Sequence, residues 1–166
     1  MDSKEEAILT IFIGALIAEF LYKTGCVLQA IEVYEECLII LHSQVLSIDS
    51  SLANTIFCAI YLALTSAYSN IKDHTSTEKC IRKLLPYLDS NDTAQKGWLH
   101  LILAEILQIQ NRSIEAWKFY ESAINLMKTI RNTQGQAQCY KNLGTLFQSL
   151  GHYDKAREYQ EKALAI

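Results

Sequence analysis

The feature that most restricts this chain is an ungapped repeat. Slid back by 40 residues, Ala137–Ile166 (AQCYKNLGTLFQSLGHYDKAREYQEKALAI) lands on Gly97–Leu126 (GWLHLILAEILQIQNRSIEAWKFYESAINL). Leu143 falls on Leu103, Gly144 on Ala104, Phe147 on Leu107 and Gly151 on Asn111. Ala156 falls on Ala116, Tyr159 on Phe119 and Ala163 on Ala123. Small residues meet small ones and large apolar residues meet large ones. Each copy reads as two amphipathic helices around a turn, at Leu150-Gly151-His152 in the later copy. A unit of this size cannot bury its apolar face alone, so the copies must stack.

Two further steps extend the pattern. A shift of 39 reaches Cys58–Tyr87, with Leu64, Thr65 and Tyr68 in the first helix and Thr77, Ile81, Leu84 and Leu85 in the second. A shift of 47 reaches Ile11–Ile40, where Ala18, Leu21, Gly25, Ala30, Val33 and Cys37 hold the same places. The longer step predicts about seven extra residues around 41–49. The expectation is an all-α chain of four helix-turn-helix units, at 4–46, 51–88, 93–131 and 134–166. Its eight helices fall at 4–23, 27–46, 51–71, 76–88, 93–110, 113–131, 134–150 and 153–165.

Local chemistry agrees with these bounds. Ser3 with Glu6 forms a candidate capping box, and Asp49, Ser50 and Ser51 offer N-caps. Gly25 and Gly151 suit the left-handed residue that ends a helix. Asp89-Ser90-Asn91-Asp92 is a turn cluster. Pro86 should end or kink the fourth helix near Leu85.

At 166 residues, half of them hydrophobic and a fifth charged, the chain can bury a sizeable core as one domain. One proline and six glycines exclude a disordered or fibrous chain. A net charge of −3 argues against nucleic acid. The five cysteines, Cys26, Cys37, Cys58, Cys80 and Cys139, are odd in number and lack C-x-x-C spacing, so buried reduced thiols in a cytoplasmic protein are expected. The sequons at Asn91 and Asn111 matter only for a secreted chain. The apolar stretch AILTIFIGALIAEFLY is interrupted by Glu19 and preceded by acidic residues. It is too short for a membrane span and lacks a signal peptide's basic flank, so it reads as a helix buried on most sides.

The last unit resembles a tetratricopeptide repeat. It carries Tyr140, Leu143-Gly144, Phe147, then Gly151, Tyr153, Ala156 and Ala163 at that family's spacing. Gly144 and Ala156 should face each other where the two helices cross closely, with Tyr140 and Phe147 filling the groove beside them. The letter pattern holds well for 97–126 and fades in 58–87 and 11–40, where Leu84 and Gly14 depart from it. The period of 40 exceeds the usual 34 and is similar to the longer-helix subclass of kinesin light chain.

The resemblance implies a right-handed superhelical solenoid whose first helices line a concave surface that holds peptides or helices of partner proteins. On that surface it would place Phe12, Ala15, Leu16, Glu19 and Tyr22, then Ala59, Leu62, Ala63, Ser66 and Ser69. From the later units come Trp98, Leu101, Ile102, Glu105 and Gln108, then Gln138, Lys141, Asn142, Thr145 and Gln148. The first three sets are mainly apolar and the last is polar. Trp98 with Leu101 and Ile102 would form an anchor pocket. Asn142 resembles an asparagine that holds a partner's backbone, because its amide both donates and accepts. The alternatives are an apolar groove closed by tight winding or by another copy, with Trp98 in the core and Asn142 a plain surface residue.

A clamp for chaperone C-terminal carboxylates needs Lys, Asn and Arg on successive first helices, and only Lys141 and Asn142 have that chemistry. His42, His74, His100 and His152 are scattered without ligand spacing, so no metal and no cofactor are expected. Without a P-loop, a dinucleotide glycine run or a nucleophile elbow, no catalysis is expected either. The anticipated partner is another protein, with no nucleic acid and no membrane. Ile166 falls where the last helix should continue without a polar cap. Either the array goes on, or Tyr159, Ala163, Leu164 and Ile166 pair with another molecule, as in a homodimer. A self-association module is therefore the second reading.

Overall fold

A computed structural model describes residues 2–44 and 48–166. Among them are eight α-helices, one short 3-10 turn and no strand. The helices are α1 (Ser3–Lys23), α2 (Val27–Gln44), α3 (Ser50–Asn70), α4 (His74–Leu84), α5 (Thr93–Ile109), α6 (Ser113–Thr129), α7 (Thr133–Ser149) and α8 (Tyr153–Leu164). The chain divides into two compact units, Met1–Tyr87 and Leu88–Ile166, each built of two helical hairpins. The expected extension of α2 to residue 46 and part of the insertion around 41–49 lie outside the described residues.

Helix ends follow the sequence chemistry with small displacements. The capping box lies one residue earlier than expected, at Asp2 and Glu5, whose carboxylate accepts from the Asp2 N–H at 3.4 Å. The acidic run Glu5-Glu6 offers two candidate partners, and the helix begins at the one that puts Ser3 in its first turn. Asp49 caps α3 by accepting from the N–H groups of Ser51 and Leu52. Pro86 acts as predicted: α4 stops at Leu84 and the chain leaves through a 3-10 turn at Leu85–Tyr87. In the turn cluster, Asp92 Oδ2 accepts from the Asp89 N–H at 2.9 Å.

Five helices end in the same way. A residue with positive φ follows α1, α3, α5, α6 and α7, at Gly25, Lys72, Asn111, Arg131 and Gly151. The next N–H then reaches back five residues, as from Cys26 to the Leu21 carbonyl and from Arg112 to the Leu107 carbonyl. This is the Schellman arrangement, which satisfies carbonyls the helix leaves unpaired.

Hairpins close where small residues meet. A Cβ on Gly144 would come 2.9 Å from Gln160 Cγ and 3.3 Å from the Ala156 carbonyl, as the crossing of α7 and α8 requires. Gly14 stands where the pattern wants an aromatic because Cys37 Sγ fills that space, 2.6 Å from where its Cβ would be. Two expectations need correcting. Cys26 is exposed in its turn rather than buried and Cys58 is half-buried, although Cys37, Cys80 and Cys139 are buried and no disulfide joins any of the five. Helix α1 is not enclosed on most sides, since it buries only Ile11 and Ala18. Among the described residues it packs chiefly on α2 and to a small extent on α3, and apolar composition by itself does not supply a neighbour for its other face. Among the described residues one helix, α3, is long and apolar enough to cross a membrane, and eight of its side chains lie in the core as in a buried helix of a folded domain.

Candidate binding surfaces

In the first unit, α1 and α3 flank a groove of 420 Å³. Its walls are Phe12, Ala15, Leu16, Glu19, Tyr22 and Lys23 from α1, Tyr34 from α2, and Ala59, Ile60, Ala63 and Ser66 from α3. Phe12 is 50% exposed and Leu16 67%, so both offer apolar surface to whatever enters. Along α3 the matching places are alanines, which leave the space open. At one end Glu19 pairs with Lys23 at 2.6 Å, an exposed pair that contributes little to stability. Burial, then the charge of Glu19, pushes the Tyr34 phenol above its ordinary pKa, so the groove floor stays neutral. Leu62 is half-buried and does not line this groove. Lys23, Tyr34 and Ile60 line it without having been anticipated. Glu19 at four residues' spacing points to Lys23, whereas nothing in the pattern brings a second-helix residue such as Tyr34 to this side.

The first-helix surface of the second unit has different chemistry. Trp98 is 39% exposed and Ile102 half-buried, but Leu101 is only 3% exposed. Leu101 therefore belongs to the core and offers nothing to a partner, so the expected anchor reduces to Trp98 and Ile102. The expected backbone holder, Asn142, is already engaged: Nδ2 donates to Glu105 Oε1 at 2.8 Å and Oδ1 accepts from Gln138 Nε2 at 3.0 Å. A further side-chain hydrogen bond engages Asn142 with the Tyr120 phenol, so only the second lone pair of Oδ1 is left unused by these bonds. Lys141 and Thr145 are exposed, and the Thr145 hydroxyl turns back to the Lys141 carbonyl at 3.2 Å. Burial, and after it Glu105, pushes the Cys139 thiol up to about 12, which keeps it protonated beside this network.

The residues expected to form a sticky end separate into three places. Tyr159 is held within its hairpin, stacked on Phe147 at 5.4 Å and on Tyr140 at 6.3 Å. Ala163 and Leu164 instead line a 550 Å³ depression between α7 and α8, with Gln134, Ala137, Gln138, Lys141 and Gln160. Ile166 is exposed outside it.

A smaller cavity of 170 Å³ lies between α2, α3 and α4. In its wall Tyr68 donates to Glu35, and burial, followed by Glu35, pushes the Cys80 thiol up to about 11. Among the described residues no group of three His, Cys, Asp or Glu side chains is placed to hold a metal ion.

Comparisons with known proteins agree with this architecture. Residues 96–166 match the sequence model of the tetratricopeptide repeat. RNA polymerase-associated protein CTR9 of Caenorhabditis elegans is 25% identical over 118 aligned residues. That match covers 59% of this chain, which spans only a tenth of the relative's length. Among solved structures, BtubC from P. vanneervenii superposes with a TM-score of 0.69 at 23% identity, covering 99% of this chain and 69% of that one. The Rap conjugation regulator of plasmid pLS20, solved with the Phr* peptide, gives 0.67 at 18%, covering 100% and 45%. Kinesin light chain TPR-like repeats from Podosopora anserina give 0.64 at 15%, covering 99% and 76%. Residues 96–166 thus resemble tetratricopeptide repeats in sequence, and the described chain has an all-α, TPR-like fold.

Proposed function

We propose that this chain is a protein–protein interaction module whose first unit holds the apolar face of a partner helix or peptide. The observation that carries this reading is the groove in which Phe12 and Leu16 stand exposed above Ala59 and Ala63. Large side chains on one wall and small ones on the other leave room for apolar anchors spaced one helical turn apart. A fold of the same kind holds a peptide in the Rap regulator, which supports the reading at the level of the fold alone. Trp98 and Ile102, with the Asn142 amide, form a second contact surface on the other unit. Truncating Trp98 there should lower affinity by about 2 kcal/mol. The work of the chain in this reading is recognition rather than catalysis, in the cytoplasm.

The test is a displayed library of helical peptides selected on the wild-type chain. Binders should lose at least tenfold in affinity against Phe12→Glu and Leu16→Glu, while Lys128→Glu leaves them unchanged. A selection that yields no binders, or binders indifferent to both groove changes, overturns the proposal.

A further inference from the structure

Helix α1 has two apolar faces with different roles. Phe12 and Leu16 line the groove, whereas Leu9, Ile13, Ile17 and Phe20 lie further round the helix and are also exposed. The repeat steps place these four on Ile56, Ile60, Leu64 and Ala67 of α3, and on Gly135, Cys139, Leu143 and Leu146 of α7. All eight of those residues are buried. Both α1 and α7 pack on their own hairpin partner, but α7 also lies on the preceding helix, α6. At the first of the four places the contact is visible: a Cβ on Gly135 would stand 2.6 Å from Met127 Sδ, on α6. Leu9, Ile13, Ile17 and Phe20 therefore form the surface by which a first helix docks on the hairpin before it.

Ala163 and Leu164 supply part of the other half of such a joint. In α6, which carries α7, Ala123 and Ile124 are buried. Their counterparts in α8 are Ala163 and Leu164, in the α7–α8 depression, and Leu164 is 88% exposed. We infer that the occupant of this depression is the outer face of α1 from a second copy, so that the α6–α7 joint inside each molecule is repeated between molecules. Charge favours this pairing. The first turn of α1 carries Glu5 and Glu6, while the depression carries Lys141. The first unit has 10 acidic and 6 basic residues, the second 8 and 9. The two surfaces differ, so the contact is heterologous and adds copies head to tail. It involves neither Phe12 nor Leu16 and is independent of groove binding.

Sedimentation velocity across a wide concentration range tests the inference. The wild-type chain should grow past a dimer as concentration rises, and less so at high salt. Ile17→Glu and Leu164→Glu should each give a monomer, with helix content by circular dichroism equal to wild type because both positions are exposed. Mixing the two variants should give a heterodimer that grows no further, since each supplies one intact surface. Phe12→Glu should assemble like the wild type. A chain that stays monomeric throughout, or an assembly that Leu164→Glu leaves intact, overturns the inference. Ile13→Glu repeats the α1 arm with a separate side chain.

Discussion

Asn142 on α7 donates through Nδ2 to Glu105 Oε1 on α5 at 2.8 Å, so a side chain in one hairpin fixes the amide orientation in the next. Gln138, one turn earlier, completes the arrangement by donating to Oδ1. Glu105→Ala should cost about 1–2 kcal/mol, read as a lower denaturant midpoint, because it removes a charge-assisted bond at a half-buried site. Glu105→Gln, which keeps an acceptor, should lose less than half of that. Equal losses for the two variants would mean that the bond contributes through charge alone.

Gly144 admits no side chain larger than hydrogen without movement of Gln160 or the Ala156 backbone. Gly144→Val should destabilise the second unit by about 1–3 kcal/mol through overpacking. For a chain of this size each kcal/mol lowers Tm by about 2–4 °C. Removing the Gln160 side chain in Gly144→Ala/Gln160→Ala should restore most of what Gly144→Ala loses. Thermal melts of the three variants check this.

His100 is half-buried, with Nδ1 2.8 Å from Ser122 Oγ and its ring edge-on to Phe119. Burial first, and Lys96 second, hold its pKa below 6.5. The fold therefore prefers the neutral ring, while the unfolded chain takes up the proton more readily. This contribution to stability is complete above pH 6.5 and is lost as the pH falls from there through the lowered value. Melting temperature should drop across that window, and His100→Gln should flatten that part of the profile. A His100→Gln profile parallel to the wild type's would assign the drop to other groups.

Much of the molecule is legible in its sequence, for reasons particular to repeats. The periodic small and large positions set every helix within a few residues, and eight of the eleven groove-lining side chains fall at places expected from the first-helix pattern. These lie in the two units whose letters match the family least, because side-chain size and period survive where identities do not. What escaped is what depends on neighbours. Leu101 is buried while Trp98, three residues earlier, is partly exposed, and both read alike as apolar. Helix α1 is more exposed than its composition suggests because burial belongs to a pair of surfaces. Tyr34 reaches the groove from a second helix by tertiary packing alone.

The five shared helix ends leave stability in reserve. Gly25 and Gly151 adopt positive φ without steric cost, but Lys72 at φ 58° and Arg131 at φ 55° hold the same conformation with a Cβ in place. A left-handed residue of that kind costs roughly 1–2 kcal/mol, part of which a glycine recovers after its own larger loss of chain entropy. Lys72→Gly and Arg131→Gly are therefore two independent routes to a tougher scaffold. Both positions are exposed and neither lines the groove, so an engineer could spend the gain on harsher changes to the binding face.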